Sequence, residues 1–154
     1  AALMRDRALS EELIQRLRDW PAGELRASAQ LAALSAGAEY LRQHGDLREA
    51  RRLLMTAEPA VLAAAGPLYR WRYYRQLGGI SGDSGELNAS LAHAHTALRL
   101  AEQIGASWRI ALSLVDLAHT SDRADTPARA RQLIAQALAE AQKDPDPMTL
   151  NHYF

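Results

Sequence analysis

A short pattern returns along this chain at a fixed interval of 40 residues. Gly45 and Gly85 stand 40 apart, and Asp125 occupies the third slot. Each is followed by a residue suited to starting a helix (Asp46, Glu86, Thr126). Small residues then recur at Ala50, Ser90 and Ala130, and again at Ala57, Ala97 and Ala137. A period of this size predicts helical units that bury their apolar faces on one another rather than around a single centre. Stacked arrays of this kind present binding surfaces, so no catalytic residue, no cofactor and no metal ligand set is expected.

Composition points to an all-α chain. The 154 residues include 31 Ala and many Leu, Arg, Gln and Glu, all good helix formers. Val, Ile and Thr are sparse and never alternate over a strand-length run. There is no cysteine, hence no disulfide framework. The formal net charge is zero, which gives no general pull toward nucleic acid or membrane. The apolar run from Ala60 to Ala65 is far short of the ~20 residues that span a bilayer. The N-terminal residues lack a signal-peptide layout. A cytoplasmic location is therefore expected.

Proline and glycine punctuate a helical reading. Ser10 or Asp6 starts a first helix, with Leu9, Leu13, Ile14 and Leu17 as its stripe and Pro21 as its end. A second helix runs from about Ala22 to His44, with Leu25, Leu31, Leu34, Ala38 and Leu41 near one face. Asp46 caps a third helix, which Glu58-Pro59 interrupts. Gly66-Pro67 opens a fourth, since proline suits the first helical position. Gly78 to Gly85 reads as a glycine-rich turn. Helices then follow from Glu86 to about Ile104, from a Ser107 cap to about His119, and from Thr126-Pro127 to about Gln142. Shifted by 40, Leu34, Tyr74 and Leu114 coincide, as do Gly37, Leu77 and Leu117, and Leu54, Ala94 and Ile134. The expected organisation is a half-unit at 1–21, units at 22–58, 66–105 and 107–143, and the start of a further unit at 147–154. Such a layout predicts a piece of a longer protein, the alternative being a natural end with a short docked tail. A plain helical bundle is the alternative to the array.

Small, large and small residues in the second helix of each unit (Ala50, Leu54, Ala57; Ser90, Ala94, Ala97; Ala130, Ile134, Ala137) follow a Gly-Asp or Gly-Glu turn, with Leu34, Gly37, Ala38 and Leu41 in the helix before. This arrangement resembles the tetratricopeptide repeat, with 40 residues per unit in place of the usual 34. The segment from Ser90 to Gly105 looks like the second helix of repeats in large bacterial regulators. The longer unit is similar to that of the maltose-regulator class of ATP-dependent transcription activators. Asp125, where glycine is expected, and the aromatic-rich third unit depart from the pattern. The resemblance implies a right-handed α-solenoid of stacked antiparallel hairpins. It also implies a non-catalytic module that binds a protein or peptide partner, or senses an effector, within a bacterial regulatory or signalling protein. The other expected roles are self-association as a homodimer and sensing of a small anionic ligand. No direct contact with nucleic acid or membrane is expected.

In that family the first helix of each unit lines a groove. The slots here are Ala32, Ser35 and Glu39, then Arg72, Arg75 and Gly79, then Leu112, Val115 and His119. The candidate groove residues are Glu39, Arg42, Arg72, Arg75, Asp116 and His119. Two guanidiniums on a groove wall can hold a carboxylate or phosphate through paired hydrogen bonds. The other reading of Arg72 and Arg75 is an internal ion pair with Glu39 or Asp116. His93 and His95 lie about 200° apart around a helix and cannot chelate one ion. Gly82-Asp83-Ser84-Gly85 matches the tetrapeptide around the nucleophile of trypsin-like proteases, but that chemistry needs a β-barrel to bring His and Asp to the serine.

Overall fold

A computed structural model of the protein describes residues 21–143, together with residues 12, 15, 16 and 19. The half-unit expected at 1–21 and the further unit expected at 147–154 lie outside the described residues, apart from those few positions. The described chain is all-helical: α1 (Glu24–Gln43), α2 (Leu47–Leu54), α3 (Pro59–Ala64), α4 (Pro67–Asp83), α5 (Leu87–Ile104), α6 (Ser107–Arg123) and α7 (Pro127–Ala141). Among the described residues, no helix is long and apolar enough to cross a membrane.

The 40-residue interval is written into the backbone. Gly45, Gly85 and Asp125 all adopt positive φ, at 81°, 81° and 58°. The residue after each donates its N–H five residues back: Asp46 to Leu41 at 2.9 Å, Glu86 to Ser81 at 2.8 Å and Thr126 to Ser121 at 3.0 Å. The positive-φ residue itself donates three residues back, to Arg42, Gly82 and Asp122. Together these bonds satisfy the last carbonyls of the outgoing helix. The carbonyls of Asp46, Glu86 and Thr126 then accept the first bonds of the incoming helix, from Ala50, Ser90 and Ala130. One helix thus closes and the next opens within three residues. Asp46 adds a side-chain cap by accepting from the Glu49 N–H at 3.1 Å.

Helices α4 and α6 occupy the same slots, and α2, α5 and α7 start on the same slot. Pro59 explains the one irregularity. It falls within the span that α5 fills as a continuous helix, where its ring lacks an N–H and crowds the carbonyl four residues earlier. The second helix of that unit therefore breaks into α2 and α3.

Four expectations need correction. Gly78 to Gly85 is not a turn; α4 continues through Gly78, Gly79 and Gly82 to Asp83. Two of them, Gly78 and Gly82, lie against α5, and Gly82 is the tight contact. A Cβ on Gly78 would meet the Ala94 N, the His93 Cβ and the Ser90 O, each at 3.6 Å, and one on Gly82 would meet the Ser90 Oγ at 3.2 Å. Ser90 uses that proximity to donate to the Gly78 carbonyl at 2.8 Å. Leu25 does not join the inner face of α1 and is 73% exposed. Its six-residue offset from Leu31 rotates it well off that stripe. Helix α6 also runs past His119 to Arg123, and Ala106, not Ser107, is its N-cap.

The buried side chains form three clusters in series. Leu31, Leu34, Ala38, Leu54, Tyr73, Leu77 and Ile80 join α1, α2 and α4. Trp71, Ala97, Leu100 and Ala101 join α4 to α5, with Trp108 of α6 packed against them. Ala94, Leu114, Leu117, Leu133 and Ala137 join α5, α6 and α7. Helices α1 and α2, α4 and α5, α5 and α6, and α6 and α7 pack as sequence neighbours, α3 packs back on α1, and the first helices also touch in turn, α1 on α4 and α4 on α6. Tyr73 fastens α4 to the end of α2 by donating to the Leu54 carbonyl at 3.1 Å. Burial, and then the neighbouring Tyr74, push its phenol pKa up to about 12. Trp71 fastens α4 to α6 by donating from Nε1 to the Ser113 Oγ at 2.9 Å.

Ala97 is 1% exposed and sits among these contacts. Ala97→Leu is expected to lower stability by about 1–3 kcal/mol, because added methylenes overpack a close helix contact. Chemical denaturation checks it, and an unchanged midpoint would place Ala97 outside the packed seam.

Candidate functional site

The first helices α1, α4 and α6 run side by side and leave a cleft of about 560 Å³ between them, with Ser90 and Ala94 of α5 contributing to its lining. All six candidate groove residues line it: Glu39 and Arg42 from α1, Arg72 and Arg75 from α4, Asp116 and His119 from α6. The convergence follows from the 40-residue interval, which places equivalent faces of successive first helices in register.

Their pairings differ. Arg75 makes a two-pronged bond to Asp116, from Nε to Oδ2 and from Nη2 to Oδ1, the latter at 3.1 Å. Of the two readings open for Arg75, the internal ion pair is the one seen. Arg42 binds Glu39 within α1 at 3.1 Å through both Nε and Nη2. It also reaches Asp83 of α4 at 3.3 Å. Accepting these hydrogen bonds lowers the Glu39 pKa, and donating them raises the Arg42 pKa. Asp83 is shared with Arg123 of α6 at 3.8 Å. Among the described residues, Arg72 and His119 are exposed and make no ion pair.

The lining also holds unmet hydrogen-bonding capacity. The Ser35 Oγ and the Gln76 Oε1 are buried and have no partner among the described residues. Both residues line the cleft, and Ser35 is only 6% exposed. A buried polar atom left without a partner costs about 1–3 kcal/mol. The lining is otherwise small, with Ala32, Ala36, Gly78 and Gly79. A Cβ at Gly79 would meet nothing within 4 Å.

Three further residues shape this region: Arg123 and Arg109 went unread in the sequence, and Asp83 was placed within the glycine-rich turn. Asp83 and Arg123 bridge neighbouring first helices, and the overlay that puts Arg123 on the slot of Asp83 was the signal. Arg109 was the third. Its guanidinium carbon lies 4.2 Å over the Trp108 ring and 5.7 Å over the Trp71 ring, while Arg75 covers Trp71 at 5.0 Å. The Trp71 and Trp108 rings meet edge to face at 5.8 Å. Burial, and then the charge of Arg72, lower the Arg109 pKa. Its Nε is buried without a partner among the described residues.

His93 lies on another face, half-buried as its leucine-filled slot implies. Its ring sits 6.1 Å from the Tyr74 ring. Arg51 and Glu86, which bond each other, stand near it.

No family model matches the chain, and no curated protein does. Among solved structures, BtubC (BKLC) from P. vanneervenii is similar, with a TM-score of 0.72 at 20% identity. The alignment covers 94% of this chain and 59% of that protein, so the chain spans well under two thirds of its length. At that identity the likeness is one of fold.

Burial first, and the Arg51 charge second, lower the His93 pKa from 6.5, against an opposing effect of Glu86. The unfolded chain then binds the proton more readily, so stability rises with pH across the histidine range. Stability is expected to fall as pH drops from about 7.5 to about 5.5, and His93→Gln should flatten that slope. Glu39, with its lowered pKa, adds its own loss only further down, in the carboxylate range. Urea midpoints measured across the interval check this; an identical slope in the variant would contradict it.

Proposed function

We propose that this chain is a tetratricopeptide-like module, a right-handed solenoid of stacked helix hairpins, whose cleft docks an extended segment of a partner protein without catalysis. The solenoid reading is supported by the matching slots of α4 and α6, the serial core clusters and the neighbour-to-neighbour packing. The docking reading is carried by one observation: the cleft has unpartnered polar atoms at Ser35 Oγ and Gln76 Oε1, a lining in which small residues alternate with charged ones, and open space at Gly79. Unmet donors and acceptors beside vacant volume suit a peptide, which brings its own amides and carbonyls. The charged residues serve this cleft unequally. Arg75 with Asp116, and Arg42 with Asp83, tie the first helices together, and Arg72 and His119 remain available to a partner. A role within a regulatory protein rests on the resemblance of the Ser90 to Gly105 segment alone.

A displayed library of random peptides tests the docking reading. Selection on the protein is expected to yield a consensus motif that Gly79→Leu no longer binds, since that side chain fills the cleft without meeting a neighbouring atom at its Cβ. The variant should unfold no more easily than the parent, because leucine is the better helix former. No consensus, or a motif indifferent to Gly79→Leu, would refute it.

A further inference from the structure

The cleft holds one positive charge that no carboxylate of the described residues offsets. Four arginines line it (Arg42, Arg72, Arg75 and Arg123), against three carboxylates (Glu39, Asp83 and Asp116). Each carboxylate is already engaged. Glu39 takes both prongs of Arg42, Asp83 lies between Arg42 and Arg123, and Asp116 takes both prongs of Arg75. Arg72 is left over. The register explains why. Across adjacent first helices an arginine meets the residue 41 positions on, as Arg42 meets Asp83 and Arg75 meets Asp116. The same step from Arg72 leads to Ser113, which accepts from Trp71 and donates to the Arg109 carbonyl. The step back leads to Leu31, which is fully buried. One turn to either side on α4 stand Leu68, Tyr69, Arg75 and Gln76, none of them acidic. The Arg72 side chain is exposed and lines the cleft, so its guanidinium is open to an incoming group.

We infer that the segment docked in the cleft carries an aspartate or glutamate side chain that pairs with Arg72. This rests on the docking reading and names the chemistry of the partner. Charge complementarity is the reason. An acid at this place neutralises the surplus charge, whereas a lysine or arginine there meets repulsion. Arg72 stands about 16 Å along α4 from Asp83, at the rise of an α-helix. The Arg42–Asp83–Arg123 cluster therefore closes one end of the cleft, and Arg72 marks the other. Between them lie Ala32 and Ala36 of α1 and Gly79 of α4, whose small side chains leave room for a main chain. A docked main chain also covers the guanidinium from water, and a charge-assisted pair is stronger there than on open surface. The planar fork of Arg72 fits both oxygens of a side-chain carboxylate.

Displayed random peptides, selected in parallel on the protein and on its variants, give the readout. The parent is expected to enrich a motif with an aspartate or glutamate at one fixed position. Selection on Arg72→Gln should lose that position and keep the rest, and selection on Arg72→Glu should favour lysine or arginine there. Both variants are expected to fold, because Arg72 is exposed and makes no hydrogen bond or ion pair among the described residues; urea midpoints matching the parent check it. Arg131→Gln, at an exposed arginine of α7 outside the cleft lining, should enrich the parent's motif. A synthetic peptide of the motif with its acid changed to the amide should bind the parent about tenfold more weakly. On Arg72→Gln the acid and amide peptides should bind alike. The peptide pair on the parent needs no variant, so the inference stays open to refutation even if a substitution disturbs the fold. A motif without a fixed acid, an acid retained on Arg72→Gln, or equal binding of the two peptides to the parent would overturn the inference and leave docking in place. No motif at all would refute docking itself, and the inference with it.

Discussion

Everything in this fold depends on a backbone turn that only a few residues can make. At Gly45, Gly85 and Asp125 the chain enters the left-handed region, and two hydrogen bonds lock each turn. The residue that follows has no slack, because its N–H belongs to the outgoing helix and its C=O to the incoming one. The angle between paired helices is therefore set locally, before any side chain packs. Repeating that turn every 40 residues repeats the pair, and equivalent faces of α1, α4 and α6 fall side by side. Small residues at Ala50, Ser90 and Ala130 let the second helices press close, and the glycines of α4 extend that closeness to backbone against side chain.

The cleft is a consequence of this register. Charged residues along it divide into those that hold neighbouring helices and those left over. Asp83 sits between Arg42 and Arg123, and Asp116 is held by both prongs of Arg75. The exposed pairs Arg42–Asp83 and Arg123–Asp83 contribute little stability each, about 0–1 kcal/mol, and the Arg75–Asp116 pair is part-buried. Their effect is positional, since they span first helices whose apolar contacts are modest. What is left over, the Arg72 guanidinium, His119 and the orphaned polar atoms of Ser35 and Gln76, is what a ligand would use.

The helical architecture was legible because the signals that define it are local: glycine for a left-handed turn, proline at a helix start, apolar spacing along each helix. The six groove residues came together in one cleft because register alone places them there. The Gly78 to Gly85 reading failed for a physical reason. Glycine marks both a turn and a close helix contact, and only the partner helix, here α5 with Ser90, distinguishes the two. The pairing of Arg75 with Asp116 was one of two readings that sequence left open, because a side chain of that length reaches either an internal or an external anion. The Arg109–tryptophan stack was invisible for a related reason: it joins Trp71 and Trp108 across a helix–helix contact that no local pattern encodes.

Two glycine substitutions in one helix and its turn probe the backbone logic most directly. Gly79 and Gly85 both have open space where a Cβ would go, so neither change adds a clash. They differ only in backbone state, helix interior against a φ of 81°. Equilibrium denaturation should show Gly79→Ala gaining about 0.5–1 kcal/mol and Gly85→Ala losing about 1–2 kcal/mol. Shifts of the same sign would mean that α4 does not run through Gly79 or that the chain does not turn at Gly85, and the forty-residue register would fall with it.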